Sequence, residues 1–302
     1  MSTKVKFMGN KNDFFENRIP NLELLKIEIE NLENLDLSKI NVSELKKNLD
    51  RIFPIIPFTE VIWDERFHIY RARRNNKNAV QEPFNYLSEI GMPTHAKHFG
   101  RANNPDQPIF YGSHNEDLTL FECCQNVGQF DIQNFTMGIW KVKKNEKLKL
   151  VLLNPVEQIC KDREDLTKVG TNFKANLKDL RRDEIEYSLI VSTFFSQQFT
   201  KNPINANDEY KISAYFSNYI QDLQNWSKIK FDGIIYPSVA NKFRGENVAI
   251  FKNSLDKLEF TKALSLTCYN FDNDTGKLTK GIFNEGYLFG DSIRWHKGKI
   301  RE

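Results

Sequence analysis

The stretch from Gly100 to Asn126, GRANNPDQPIFYGSHNEDLTLFECCQN, decides how the chain is read. Ile109, Phe110 and Tyr111 form a short apolar run closed by Gly112, which suits a strand. The breakers Asn103, Asn104 and Pro105 precede it. Glu116 and Asp117 follow, acidic residues where the first turn of a helix favours negative charge. Leu118 and Phe121 then mark one buried side of a helix that begins near Asn115 and runs toward Val127. Glu122 stands beside Phe121 and four residues beyond Leu118, so the spacing places its carboxylate at the inner edge of that helix. A carboxylate in that position needs a tertiary ion pair, with Arg71 or Arg101, or a ligand.

Toward the N-terminus, Leu and Ile recur at helical spacing in NLELLKIEIENLENL and SELKKNLDRIF. Leu45, Leu49, Ile52 and Phe53 fall on one face, and Ser43 is placed to cap the second helix. Pro54 and Pro57 end the pattern. The expected division is a helical segment over residues 1–58 and a catalytic domain over residues 59–302. From Val61 the texture is that of strands. RFHIYRAR alternates, with Phe67, Ile69 and Arg71 on one face and His68 and Tyr70 on the other. TMGIWKVK and LKLVLLN read as strands, the second ended by Pro155. DEIEYSLIVSTFFSQQF and NDEYKISAYFSNYIQDLQNW read as helices. FDGIIYPS, ENVAIF and KLEFTKALSLTCY are further strands, and the turn-rich tail suggests hairpins. The fold class is α+β, a core of short mixed strands with flanking helices and a helical N-terminal segment.

The chain has 302 residues, 24 of them Phe, enough to fill a sizeable core. Its 43 basic and 40 acidic residues leave a formal charge of +3, too small for a global field that gathers nucleic acid or acidic membrane. No apolar run approaches the roughly 20 residues that span a bilayer, and the first residues carry no export signal. Cys123, Cys124, Cys160 and Cys268 form no spaced framework, which fits a reducing cytoplasm. His95 and His98, with His114 and the Cys123–Cys124 pair, match no zinc spacing, so no metal is expected. The basic run KVKKNEKLKL alternates with Val142, Leu148 and Leu150 and reads as the solvent face of two strands.

Several other residues can carry chemistry. Arg71 is either exposed on an edge strand or a fork for phosphate oxygens. Arg101 sits in a loop among turn residues, where ligand-binding groups often lie. Tyr111 can fill the core or stack on a flat base. Ser113 can cap the following helix or face a ligand. Ser238 follows a buried strand and Asn247 opens the next, each placed for turn chemistry or for a ligand.

YRAR, GRAN with PIFYGS, LTLFE, GIIYPS and GENVAIF, in that order over about residues 66–252, together resemble the RES family. The resemblance implies an ADP-ribosyltransferase-like fold and a NAD-degrading enzyme, a toxin of a toxin–antitoxin pair. NAD would be its substrate, and inorganic phosphate, water or a protein side chain its acceptor. It implies Glu122 as the catalytic carboxylate, with Arg71 and Tyr111 beside it, and Arg101 and Ser238 as cofactor-binding residues; Ser113 and Asn247 join the cofactor-binding candidates on their own placement in the sequence. A small helical antitoxin is the implied partner, and a homo-oligomer is left open. Ala102 departs from the aromatic residue usual after Gly-Arg, and the interval from Glu122 to Ser238 is longer than in compact members. A ribonuclease-type toxin and a non-catalytic nucleotide-binding protein are the alternatives.

Overall fold

The computed structural model describes residues 3–6, 19–75, 82–123, 132–153, 180–201, 206–226, 229–239, 245–272 and 277–301. The fold is α+β, with strands paired mostly antiparallel. Its contacts divide it into two units, each assembled from separate pieces of chain. Pro155, Cys124, Cys160 and the expected continuation of the Glu122 helix to Val127 lie outside the described residues. No helix among those described is long and apolar enough to cross a membrane.

The first unit takes described residues within 1–62, 96–107 and 149–236. Its helices are α1 (Leu22–Glu33), α2 (Val42–Ile52), α5 (Arg182–Thr200) and α6 (Lys211–Trp226). Its strands are β1 (Thr3–Lys6), β2 (Phe58–Trp63), β6 (Leu148–Leu152) and β7 (Gly233–Pro237), neighbours in that order. β1, which the sequence reading did not anticipate, runs antiparallel to β2, and β2 begins three residues before Val61. β6 and β7 are parallel, Leu150 opposite Gly233. A parallel pair needs a long crossover, and the helices between the two strands supply it.

The α2 face is buried as its spacing required: Leu45, Leu49, Ile52 and Phe53 are all inaccessible to water. The Phe53 ring lies 5.1 Å from Phe194 and 5.0 Å from Phe195, and Phe195 packs on Phe216 at 4.8 Å. This aromatic cluster joins the N-terminal helix to α5 and α6. The cap of α2 is Asn41, whose Oδ1 accepts the Glu44 N–H at 2.8 Å. Ser43, expected in that role, falls inside the first turn, because the helix starts two residues earlier than that cap would set it.

Lys211 fastens the loop between α1 and α2. Its buried Nζ donates to Leu37 O at 2.6 Å and Ile40 O at 3.1 Å, and pairs with Asp208 at 2.8 Å. Methionine would preserve the stem and leave two carbonyls without a donor. Lys211→Met is expected to lower stability by about 2–4 kcal/mol, read from the urea midpoint at unchanged slope.

The second unit takes described residues within 63–95, 108–148 and 237–302. It holds β3 (His68–Arg74), the one-turn helix α3 (Leu87–Ile90), β4 (Phe110–Ser113), α4 (Glu116–Cys123) and β5 (Gln133–Val142). β8 (Glu246–Ile250), β9 (Leu258–Asp272), β10 (Lys277–Phe289) and β11 (Ser292–Arg301) complete it. The strand order is β8-β4-β3-β5-β9-β10-β11. The tail forms the expected hairpin, β10 against β11. Leu120 and Phe121 of α4 pack with Ala72, Phe135, Met137, Leu264 and Leu266 on one face, and Tyr70 borders this core. Strand alternation sends Arg71 to the other face.

Candidate active site

Asn115 starts α4: its Oδ1 accepts the Leu118 N–H at 2.9 Å. The Ser113 hydroxyl accepts the Asn115 N–H at 3.1 Å and donates to Glu246 O at 2.8 Å. Ser113 is therefore fully buried and joins the start of α4 to β8. Lys280 holds the same turn from β10, with Nζ 2.6 Å from Glu116 Oε1 and 2.5 Å from Asp117 Oδ1. Burial alone would lower the Lys280 pKa; the two carboxylates outweigh it and raise it. A helix pinned at its start by three strands presents its last turn in a fixed place.

That last turn carries Glu122. Its Oε1 accepts the Ser238 hydroxyl at 2.5 Å and the Asn247 amide at 2.5 Å. Ser238 is fully buried and Asn247 nearly so. Two short donors on one oxygen fix the orientation of the Glu122 side chain. The register of β4 with β8 sets Ser113 opposite Asn247 and Tyr111 opposite Ala249. Tyr111 therefore shares a face with Asn247, one diagonal step along the ladder. Glu122, Ser238, Asn247, Ser113 and Tyr111 are thus brought together on the α4 side of the second unit.

Gly245, which the sequence reading passed over, completes this arrangement. Its carbonyl accepts the Ser238 N–H at 3.0 Å. Its φ of +116° is a conformation that side chains other than hydrogen rarely tolerate. A Cβ there would lie 2.9 Å from a methyl of Leu118, one helical turn before Glu122.

Arg71 and Arg101 occupy different surroundings. The half-buried Arg71 donates from Nε to Gly91 O at 3.0 Å and from a terminal nitrogen to Tyr111 O at 2.7 Å. Its guanidinium carbon lies 5.4 Å from the Phe110 ring centre. It is joined to the Tyr111 backbone, while its side chain belongs to the face opposite α4. Arg101 lies in the first unit, where one terminal nitrogen donates to Phe199 O at 2.6 Å and Lys201 O at 2.8 Å. These are carbonyls at the C-terminus of α5, where a cation is favoured by the helix dipole. Ala102 brings no ring, but Tyr210 stands 5.0 Å from the Arg101 guanidinium. Arg101→Ala is expected to lower the stability of the chain by about 1–3 kcal/mol, measured by urea unfolding.

Tyr70, opposite Ser113 in the ladder, is half-buried. Burial, with the nearby Glu116 charge, raises its phenol above the usual tyrosine value, so it stays protonated at neutral pH.

A family model described as the RES domain matches residues 68–268, about two thirds of the chain, and includes every residue of this cluster. No curated protein matches the chain.

Proposed function

The chain belongs to the RES-domain family, and from that premise we propose that it is a NAD-degrading enzyme. In this reading the fold is ADP-ribosyltransferase-like, and the protein is the toxin of a cytoplasmic pair, neutralised by a small helical antitoxin. The observation that carries the reading is the Glu122 carboxylate, held at one oxygen by Ser238 and Asn247.

The nicotinamide–ribose bond breaks with its electron pair going to the pyridinium nitrogen, so nicotinamide leaves neutral. The ribose carbon is left with oxocarbenium character, as in glycoside hydrolysis. A fixed carboxylate beside that carbon stabilises charge that exists only near the transition state. Ser238 and Asn247 hold Glu122 from one side, so little reorganisation accompanies the reaction. Tyr111, on the same face, is assigned to the nicotinamide ribose. Ser113 lies behind Asn247 and supports the cofactor site through β8. An anion-binding role, toward the pyrophosphate of NAD or incoming phosphate, is carried over from the family for Arg71 and, in the other unit, for Arg101, each considered in its own unit. Inorganic phosphate is the proposed acceptor; one of its oxygens donates an electron pair to C1 of the ribose and gives a phosphorylated ADP-ribose.

The test is to incubate purified protein with NAD, with and without phosphate, and resolve the products by chromatography and phosphorus NMR. Nicotinamide and phosphorylated ADP-ribose, formed only with phosphate, are expected. Free ADP-ribose in both samples would replace the phosphorylase with a hydrolase. Intact NAD from folded protein free of inhibitor would overturn the reading.

A further inference from the structure

The ladder between β9 and β10 slips twice. Thr279 stands opposite Asn270 but Lys280 opposite Cys268, so the register skips Tyr269. Ile282 stands opposite Leu266 but Asn284 opposite Ser265, so it then skips Phe283. Each slip is of one residue and the two are opposite in sense. They offset the short patch Lys280–Ile282 within strands that keep one register on either side of it. A slip of one residue turns side chains to the other face of a sheet, and bulges beside functional sites re-aim side chains in this way. In the register of the flanking pairs Lys280 would stand opposite the exposed Tyr269. The offset sets Lys280 and Ile282 instead against Cys268 and Leu266, which belong to the core that α4 covers.

The re-aimed residues meet α4 near both of its ends. Lys280 Nζ lies 2.6 Å from Glu116 and 2.5 Å from Asp117, in the first turn. Ile282 packs on the cluster that holds Phe121 and is bordered by Cys123, the neighbours of Glu122 on either side. α4 has eight residues, about two turns. A helix that short takes its place from packing and not from its own stability, so a shift at its start is carried to its end. β10 lies beyond residue 268, where the matched domain ends. We propose that Lys280 is a positioning residue of the active site: through α4 it sets where the Glu122 carboxylate stands, and β10 is thereby part of the working enzyme. This assignment rests on the reading in which Glu122 acts on NAD.

The experiment compares the full chain with Lys280→Met and Lys280→Arg, following nicotinamide release over a range of NAD concentrations and amide hydrogen exchange in α4. Glu116 and Asp117 keep part of their side-chain surface exposed, so water replaces the lost ammonium and Lys280→Met should fold. Its kcat should fall about 10- to 100-fold, the loss that a misplacement of about 1 Å produces, with KM within about twofold of the parent. Its α4 amides should exchange faster. Lys280→Arg keeps the charge and should recover most of the lost kcat. Parent-like kcat in Lys280→Met, an equal fall in Lys280→Arg, or unchanged exchange in α4 would each overturn the positioning role while leaving Glu122 its chemistry. Intact NAD with the parent chain would overturn the Glu122 reading and this assignment with it, so the two failures are distinct.

Discussion

Glu122→Gln is expected to slow NAD consumption by about 100- to 1000-fold, the loss typical when a preorganised transition-state contact is removed, while the protein stays folded. Glutamine has the shape of glutamate, and its Oε1 can accept the same two donors, Ser238 Oγ and Asn247 Nδ2. What disappears is the negative charge. Neutral hydrogen bonds are roughly half as strong as those to an ion, so a stability loss of about 1 kcal/mol is expected. Nicotinamide release and a thermal melt on the same sample separate the two effects. Undiminished turnover by the folded variant would remove Glu122 from the chemistry. Collapse of both readings together would instead give the carboxylate a structural role, as the buried acceptor of two donors.

Gly245→Ala is expected to damage both stability and turnover, although residue 245 carries no reactive group. At φ +116° a Cβ is strained by about 1–3 kcal/mol. It would also press on Leu118, which is 1% exposed and has little room to retreat. The combined loss should be about 2–4 kcal/mol, seen as a fall in urea midpoint. The consequence for activity follows from connectivity. Displacing Leu118 moves the turn of α4 that ends in Glu122, and bending residue 245 moves the carbonyl that holds Ser238. Adding Leu118→Ala should relieve the overlap but not the backbone strain, restoring part of the turnover while lowering stability further through the cavity it leaves. An alanine variant as stable and active as the parent would sink this account.

The parts of the molecule that local rules govern were legible before any coordinates. The α2 stripe of Leu45, Leu49 and Ile52 is a period of 3.6 and can only be a helix face. The IFYGS strand and the helix bearing Glu122 followed from turn residues and acidic first-turn positions. Asn41 and Ser43 are equally good caps on paper, and which one caps depends on where the chain enters the helix. β1 was missed because Thr3–Lys6 has no apolar pattern; its pairing with β2 is what makes it a strand. The site was half legible. That Glu122 needed a partner could be argued from its neighbours, but that its partners are Ser238 and Asn247 could not, since no local signal spans such separations. An ion pair with an arginine was the obvious expectation; among its hydrogen bonds are those from a hydroxyl and an amide. Arg101 shows the converse. An arginine in a loop suggests a ligand, yet its nearest acceptors are the carbonyls that end α5.

The wide spacing of the Glu122 cluster also sets a clock on the ribosome. Glu122 and Asn247 are 125 positions apart in the chain. At about 5–20 residues per second, roughly 6–25 s of synthesis separate them. Throughout that interval the carboxylate exists without the donors that fix it, and β4 has no β8 beside it. Under the proposed activity, the nascent chain stays inactive until β8 has been made and has paired with β4.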